Sequence, residues 1–156
     1  MAARPRPIVV VDTSVFLADA MSTTGTAAAS QVLAILPAIA HVVLCDEIRQ
    51  ELNEKLTEYL GWTEGQVLAR YGPVFDVAVW VTPVAEQAWH LKVVHEDPGD
   101  TMLPRAAEAV FTERPDLIDV DQGRFVVSQN TSDLVPGSSY ASFMFVTARE
   151  LLERIK

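Results

Sequence analysis

Apolar residues along this chain follow two spacings. Short unbroken runs rich in β-branched residues mark strands buried on both faces. They fall at residues 7–11, bounded by Pro7 and Asp12, at HVVLC (41–45) and at VAVWV (77–81). Between them the apolar positions recur at helical intervals. Residues 26–40 put Val32, Ile35, Leu36 and Ile39 on one face, and Pro37 is expected to end or kink that helix. Residues 46–61 form the clearest helix, with Asp46 placed to cap it, acids in its first turn and Gly61 to stop it. Its stripe is Ile48, Leu52, Leu56, Tyr59 and Leu60. Further helices are expected over 63–71, 84–91 and 101–114, the last accepting Pro104 in its first turn. LIDV (117–120) and RFVVSQ (124–129) read as strands, and ASFMFV (141–146) as a last edge strand. Residues 96–100 and 130–139 read as loops. Residues 147–156 read as an amphipathic helix capped by Thr147, with Glu150 at the capping-box position. Strands alternating with helices predict an α/β domain over residues 1–156, a mostly parallel sheet flanked by helices.

Composition narrows the setting. A chain of 156 residues, 49% apolar and 21% charged, suits a single globular domain rather than disorder. Cys45 is the single cysteine, so no intrachain disulfide is possible and a reducing compartment fits. The basic start MAARPRP precedes only four apolar residues before Asp12, too few for a signal peptide. No stretch approaches the roughly 18 apolar residues of a membrane span. The expectation is a soluble, cytoplasmic protein with no membrane partner. The net charge of −9 argues against nucleic-acid binding by phosphate neutralisation. The exception is a site whose acids hold a divalent metal, where the metal meets the phosphate.

The acids are placed to do this. Ligands of open α/β sheets bind outside the carboxyl ends of the strands. Asp12 ends the first strand, Asp46 and Glu47 follow the second, and Glu51 lies one helical turn further on. Asp97 and Asp100 open a helix, and Asn130 and Asp133 follow the strand that ends at Ser128. Converging carboxylates repel unless a cation joins them, and hard oxygen donors suit Mg²⁺ or Mn²⁺. Each acid also has an ordinary alternative. Asp12 could cap the next helix, Glu47 and Glu51 could be dipole-compensating, Asp97 and Asp100 could be turn and cap residues, and Asp133 could make an Asx-turn. Thr13 and Ser14 are candidates to orient Asp12 or a water, or to cap the helix.

Three rival functions fit the residues less well. A phosphatase of the haloacid-dehalogenase type needs a second aspartate where Ser14 stands. A phosphoreceiver domain needs a lysine near a late strand, and Lys55, Lys92 and Lys156 are not so placed. DTSVF lacks the glycines of a dinucleotide-binding turn. His41, His90 and His95 lack ligand spacing, Trp80 and Cys45 read as core, and Trp62 and Trp89 as core or partner surface. Arg49, Arg105 and Arg124 lie near the acidic segments in sequence, either as phosphate contacts or as ordinary surface residues.

Together these segments resemble the PIN-domain ribonucleases. VVVDTSVF is similar to their first strand, which ends in aspartate followed by a small hydroxyl or amide residue. LCDEIRQELNEKL resembles their strand-then-helix segment with a glutamate just before a leucine, which falls on Glu51. DPGDTMLPRAAEAV resembles their D-P-x-D loop and alanine-rich helix, with the third acid on Asp100. VVSQNTSDLVP resembles a strand ending in Thr or Ser, then Asn, then Asp, here Ser128, Asn130 and Asp133. VTARELLERI resembles the closing helix. The similarity covers nearly the whole chain, and the branch it resembles most is the VapC-like toxins of type II toxin–antitoxin pairs.

The resemblance implies a three-layer α/β/α fold and an Mg²⁺- or Mn²⁺-dependent endoribonuclease. Asp12, Glu51, Asp100 and Asp133 would be the catalytic metal ligands, with Thr13, Ser14, Ser128 and Asn130 around them and Glu47 and Asp97 in reserve. It also implies an RNA substrate, a cognate antitoxin and a homodimer. The chain departs from the family in two places: Asn130 stands where many members carry aspartate, and Leu134 where an aromatic is frequent. The first leaves open a catalytically silent member that binds antitoxin or RNA without cleaving it.

Overall fold

A computed structural model describes residues 6–85, 102–118, 123–130, 137, 139–140 and 142–155. Its first strand, β1 (Ile8–Val11), is fully buried, as its uninterrupted apolar run requires. It is followed by helices α1 (Thr13–Met21) and α2 (Ala28–Ile39), then strand β2 (His41–Leu44), helices α3 (Asp46–Leu60) and α4 (Glu64–Val77), and the short strand β3 (Val79–Trp80). Helices α5 (Met102–Glu113) and α6 (Pro115–Ile118) precede β4 (Arg124–Val127). Strands β5 (Ser139–Tyr140) and β6 (Phe143–Val146) and helix α7 (Ala148–Ile155) come last.

The strands form one sheet in the order β3-β2-β1-β4-β6-β5, in which only β5 runs antiparallel. Five parallel strands flanked by the seven helices among the described residues give the expected three-layer α/β/α architecture. Helix α5 packs on β1, β2 and β4, while α1 packs on α2 and α3, and α2 on α7.

The helices end where side chains can satisfy the backbone. Gly61 turns left-handed at φ 67°, and its N–H and that of Trp62 close the last carbonyls of α3. Thr147 and Glu150 make the capping box of α7: the Glu150 N–H donates to Thr147 Oγ1 at 3.2 Å and the Thr147 N–H to Glu150 Oε1 at 3.2 Å. Thr63 and Gln66 make a second such box on α4, in addition to the one expected.

Several expectations change. Helix α2 ends at Ile39, two residues past Pro37 and close to the expected stop. Leu33, not Ile35, joins its buried face. Cys45, not Asp46, is the N-cap of α3, and its side chain makes no cap bond. Tyr59 and Leu60 leave the core stripe and are exposed. Helix α4 extends to Val77, because Val74 and Phe75 bury on the core, and this shortens the third strand. Pro115 opens a helical turn that takes Leu117 and Ile118 out of the expected strand. Strand β6 is interior, and the unforeseen β5 is the edge. The expected helix at 84–91 lies outside the described residues beyond residue 85, as does the 96–100 loop.

A polar cluster ties α1 to α4. Asp19 is buried and accepts hydrogen bonds from the Tyr71 hydroxyl (2.7 Å) and from Arg70 Nη2 (3.2 Å). Tyr71 Oη also lies 3.0 Å from the Phe16 carbonyl, which shares the single hydroxyl proton with Asp19. Burial pushes the Asp19 carboxyl up, but the Ser30 and Tyr71 hydroxyls and the Arg70 guanidinium outweigh it and hold the carboxyl below the usual range. The buried Ser30 Oγ stands near Asp19 without reaching full hydrogen-bond geometry. A depressed carboxyl stabilises the fold above its unfolded value, near pH 4, and that stability is lost as pH falls through the folded value. Asp19→Asn should therefore flatten the acid limb of stability in urea melts between about pH 6 and about pH 2. Tyr71→Phe should cost about 1 kcal/mol at neutral pH. An unchanged acid limb in Asp19→Asn would remove the cluster's assigned role.

Candidate active site

Strands β1 and β4 pair in register from Ile8 with Arg124 to Val11 with Val127, so they end together. The chain builds outward from β1 to β2 and β3, then returns to the other side of β1 with β4. The gap between the carboxyl ends of β1 and β4 is therefore the topological switch point, where open α/β sheets bind ligands. Asp12 and Ser128 are the residues that leave those two ends, and the Asp12 N–H donates to the Val127 carbonyl at 3.0 Å.

The Asp12 carboxylate is held from one side. Its Oδ2 accepts from Ser14 Oγ at 2.6 Å and from Ser128 Oγ at 2.8 Å. Each hydroxyl oxygen in turn accepts a backbone N–H, Ser14 from Gln129 at 2.9 Å and Ser128 from Asn130 at 3.0 Å. Those N–H groups direct the hydroxyl protons onto the carboxylate. Among the described residues both side-chain hydrogen bonds to Asp12 fall on Oδ2, and none reaches Oδ1. Although Asp12 occupies the N-cap position of α1, its side chain makes no cap bond, which removes the helix-cap alternative. Neither Thr13 nor Ser14 caps the helix: Thr13 Oγ1 makes a long 3.5 Å contact to the Ile48 carbonyl, setting the start of α1 against the first turn of α3. The side-chain amide of Gln129 accepts the Ala148 N–H at 3.1 Å, anchoring α7 at the end of β4.

Glu51 comes to the same region on α3, which leaves the carboxyl end of β2. Its Oε1 lies 2.9 Å from Lys55 Nζ, one helical turn on, and both side chains are partly exposed. The Glu51 carboxylate beside it holds the Lys55 ammonium above the ordinary lysine range, and the Asp12 charge adds to this. Lys55 is thus within electrostatic reach of both carboxylates. In the sequence Lys55 stands out only as a lysine misplaced for a phosphoreceiver, although its spacing of four residues from Glu51 was the available signal. Asp46 and Glu47 are exposed on the first turn of α3. The Cys45 thiol is buried behind them and pushed up to about 12, chiefly by burial, which makes it an inert core group.

Asp97, Asp100 and Asp133 lie outside the described residues, as do His90, His95 and Trp89. Among the described residues no group of three or more His, Cys, Asp or Glu side chains is arranged to hold a metal. Asp12 and Glu51 are hard carboxylate donors, the type that suits Mg²⁺ or Mn²⁺. Each candidate arginine makes a contact of its own among the described residues. Arg49 lies over the Phe75 ring at 5.4 Å, and Arg105 Nε donates to the Val84 carbonyl at 2.9 Å. Arg124 starts β4 at the opposite, amino edge of the sheet, over the Phe111 ring at 5.3 Å.

No family model, curated protein or solved structure matches this chain. Among the described residues no helix is long and apolar enough to cross a membrane.

The hydroxyl pair has a measurable structural cost. Ser128→Ala removes a donor to Asp12 and the acceptor of the Asn130 N–H, and should lower stability by about 1–3 kcal/mol. Ser14→Ala, whose site is less buried, should cost less. Urea denaturation checks both, and a neutral Ser128→Ala would contradict this network.

Proposed function

We propose that this protein is a metal-dependent endoribonuclease of the PIN type, acting as the toxin of a toxin–antitoxin pair. One observation carries the reading. Asp12 sits at the switch point of the sheet with one carboxylate oxygen tied by two hydroxyls, and Glu51 approaches from the helix after the neighbouring strand. A structural aspartate at a helix start would cap the helix, whereas this one is oriented by two hydroxyls through a single oxygen. Asp12 and Glu51 would hold the metal, together with Asp100 and Asp133 from the two remaining segments.

A bound Mg²⁺ or Mn²⁺ supplies a water of lowered pKa and offsets charge on the phosphate. The chain's own groups do the positioning. Ser14 and Ser128 hold the Asp12 carboxylate in one rotamer, and the Gln129 and Asn130 N–H groups hold those hydroxyls. The net charge of −9 fits this division of labour, since the protein does not meet RNA by lysine and arginine alone. The toxin role, an antitoxin partner and a homodimer rest on the motif resemblance, and a cytoplasmic location on the single cysteine and the short N-terminal apolar run. A second reading is a silent PIN scaffold, favoured by Asn130, whose amide supplies no charge where many members carry aspartate.

Calorimetric titration with Mn²⁺ should show binding in the wild type and loss in Asp12→Asn, and RNA cleavage should fail in the same variant. No binding at millimolar Mn²⁺, or equal cleavage by Asp12→Asn, would exclude the nuclease. Ser128→Ala should lower metal affinity or activity about 10–100-fold, as supporting groups around a metal site do. Expression of the protein alone should arrest growth. Unaffected growth with active purified enzyme would remove the toxin role and leave the nuclease.

A further inference from the structure

The carboxylates of this edge already have a cation of their own. Glu47, Glu51 and Lys55 recur at four-residue intervals on α3, the helix that leaves the carboxyl end of β2. The Lys55 ammonium lies 2.9 Å from Glu51 and also feels Asp12, a carboxylate from a different element. Helix α3 packs on α1, the helix that Asp12 precedes, which sets the pair on the side of that edge. Lysine suits exchange between partners, because its ammonium is a compact charge on a flexible four-carbon stem. The pair is partly exposed, and such pairs are weak and easily displaced.

We propose that Lys55 is a positioning residue of the nuclease. It neutralises Glu51 in the metal-free protein, gives way when a divalent cation takes that carboxylate, and then pairs with a phosphate of the RNA. This rests on the nuclease reading and goes beyond it by assigning a protein cation to the substrate. In a chain of net charge −9, the lysine released from Glu51 brings positive charge to a polyanion at the edge where the acids gather. The exchange involves no covalent step: one ion pair is broken and another forms.

The test has two arms, both on the full chain. In the first, Mn²⁺ alone is titrated into the wild type and into Lys55→Gln. The variant should bind about three- to tenfold more tightly, because the metal no longer displaces or faces an ammonium. In the second, binding of a single-stranded RNA of about 20 nucleotides is measured against salt, with Ca²⁺ replacing Mg²⁺ under conditions without cleavage. Losing one phosphate contact should reduce the slope of log K on log salt by about 0.7. Lys55→Arg should keep the wild-type slope. Thermal melting of each variant checks the fold, and a merely structural pair, which by charge alone would still oppose Mn²⁺, would leave the salt slope unchanged. Unchanged or weaker Mn²⁺ binding by Lys55→Gln overturns the metal-competition role, and an unchanged salt slope overturns the phosphate role. Failure of the wild type itself to bind Mn²⁺ overturns the nuclease reading instead.

Discussion

The structure depends on the complete burial of β1. A strand with no exposed side chain must have neighbours on both edges and helices on both faces, or its backbone and apolar groups stay unsatisfied. In this chain the neighbours are β2 and β4, both parallel to it. Parallel pairing aligns the three carboxyl ends, so the residues leaving each strand are brought to one edge. Asp12, the start of α3 and Ser128 meet there because of that constraint.

At the edge, the balance of charges is set by small groups. Two hydroxyls, each fixed by a backbone N–H, orient the Asp12 carboxylate. A lysine one helical turn from Glu51 offsets that carboxylate. Away from the edge, the chain pairs its buried charge more completely, as in the Asp19, Arg70 and Tyr71 cluster that joins α1 to α4. The contrast is physical: Asp19 is buried and bonded through both oxygens, whereas the bonds to Asp12 among the described residues fall on one oxygen.

Much of this was legible in the residues. The β-branched runs at 8–11, 41–44 and 124–127 and the capping signals at Gly61 and Thr147 identify elements by local physics, and each appears close to its expected place. Where local signals misled, a longer-range contact decided. Val74 and Phe75 carried α4 through Pro73 into an expected strand, Pro115 turned Leu117 and Ile118 into a helix, and the two-residue β5 displaced β6 from the edge. The four-residue spacing of Glu51 and Lys55 signals the pair but not its place beside Asp12, which depends on the packing of α1 and α3.

The sequence by itself determined the alternation of strands and helices, the placement of acids after strand ends, and the small hydroxyls beside Asp12. These arise from side-chain periodicity and backbone preference, which act over a few residues. Only the tertiary structure decided that β4 lies beside β1, that Ser128 reaches Asp12 from 116 residues away in the chain, and that Asp12 orients toward hydroxyls rather than capping its helix. Those outcomes depend on which buried edges pair, a choice made by the packing of the whole sheet.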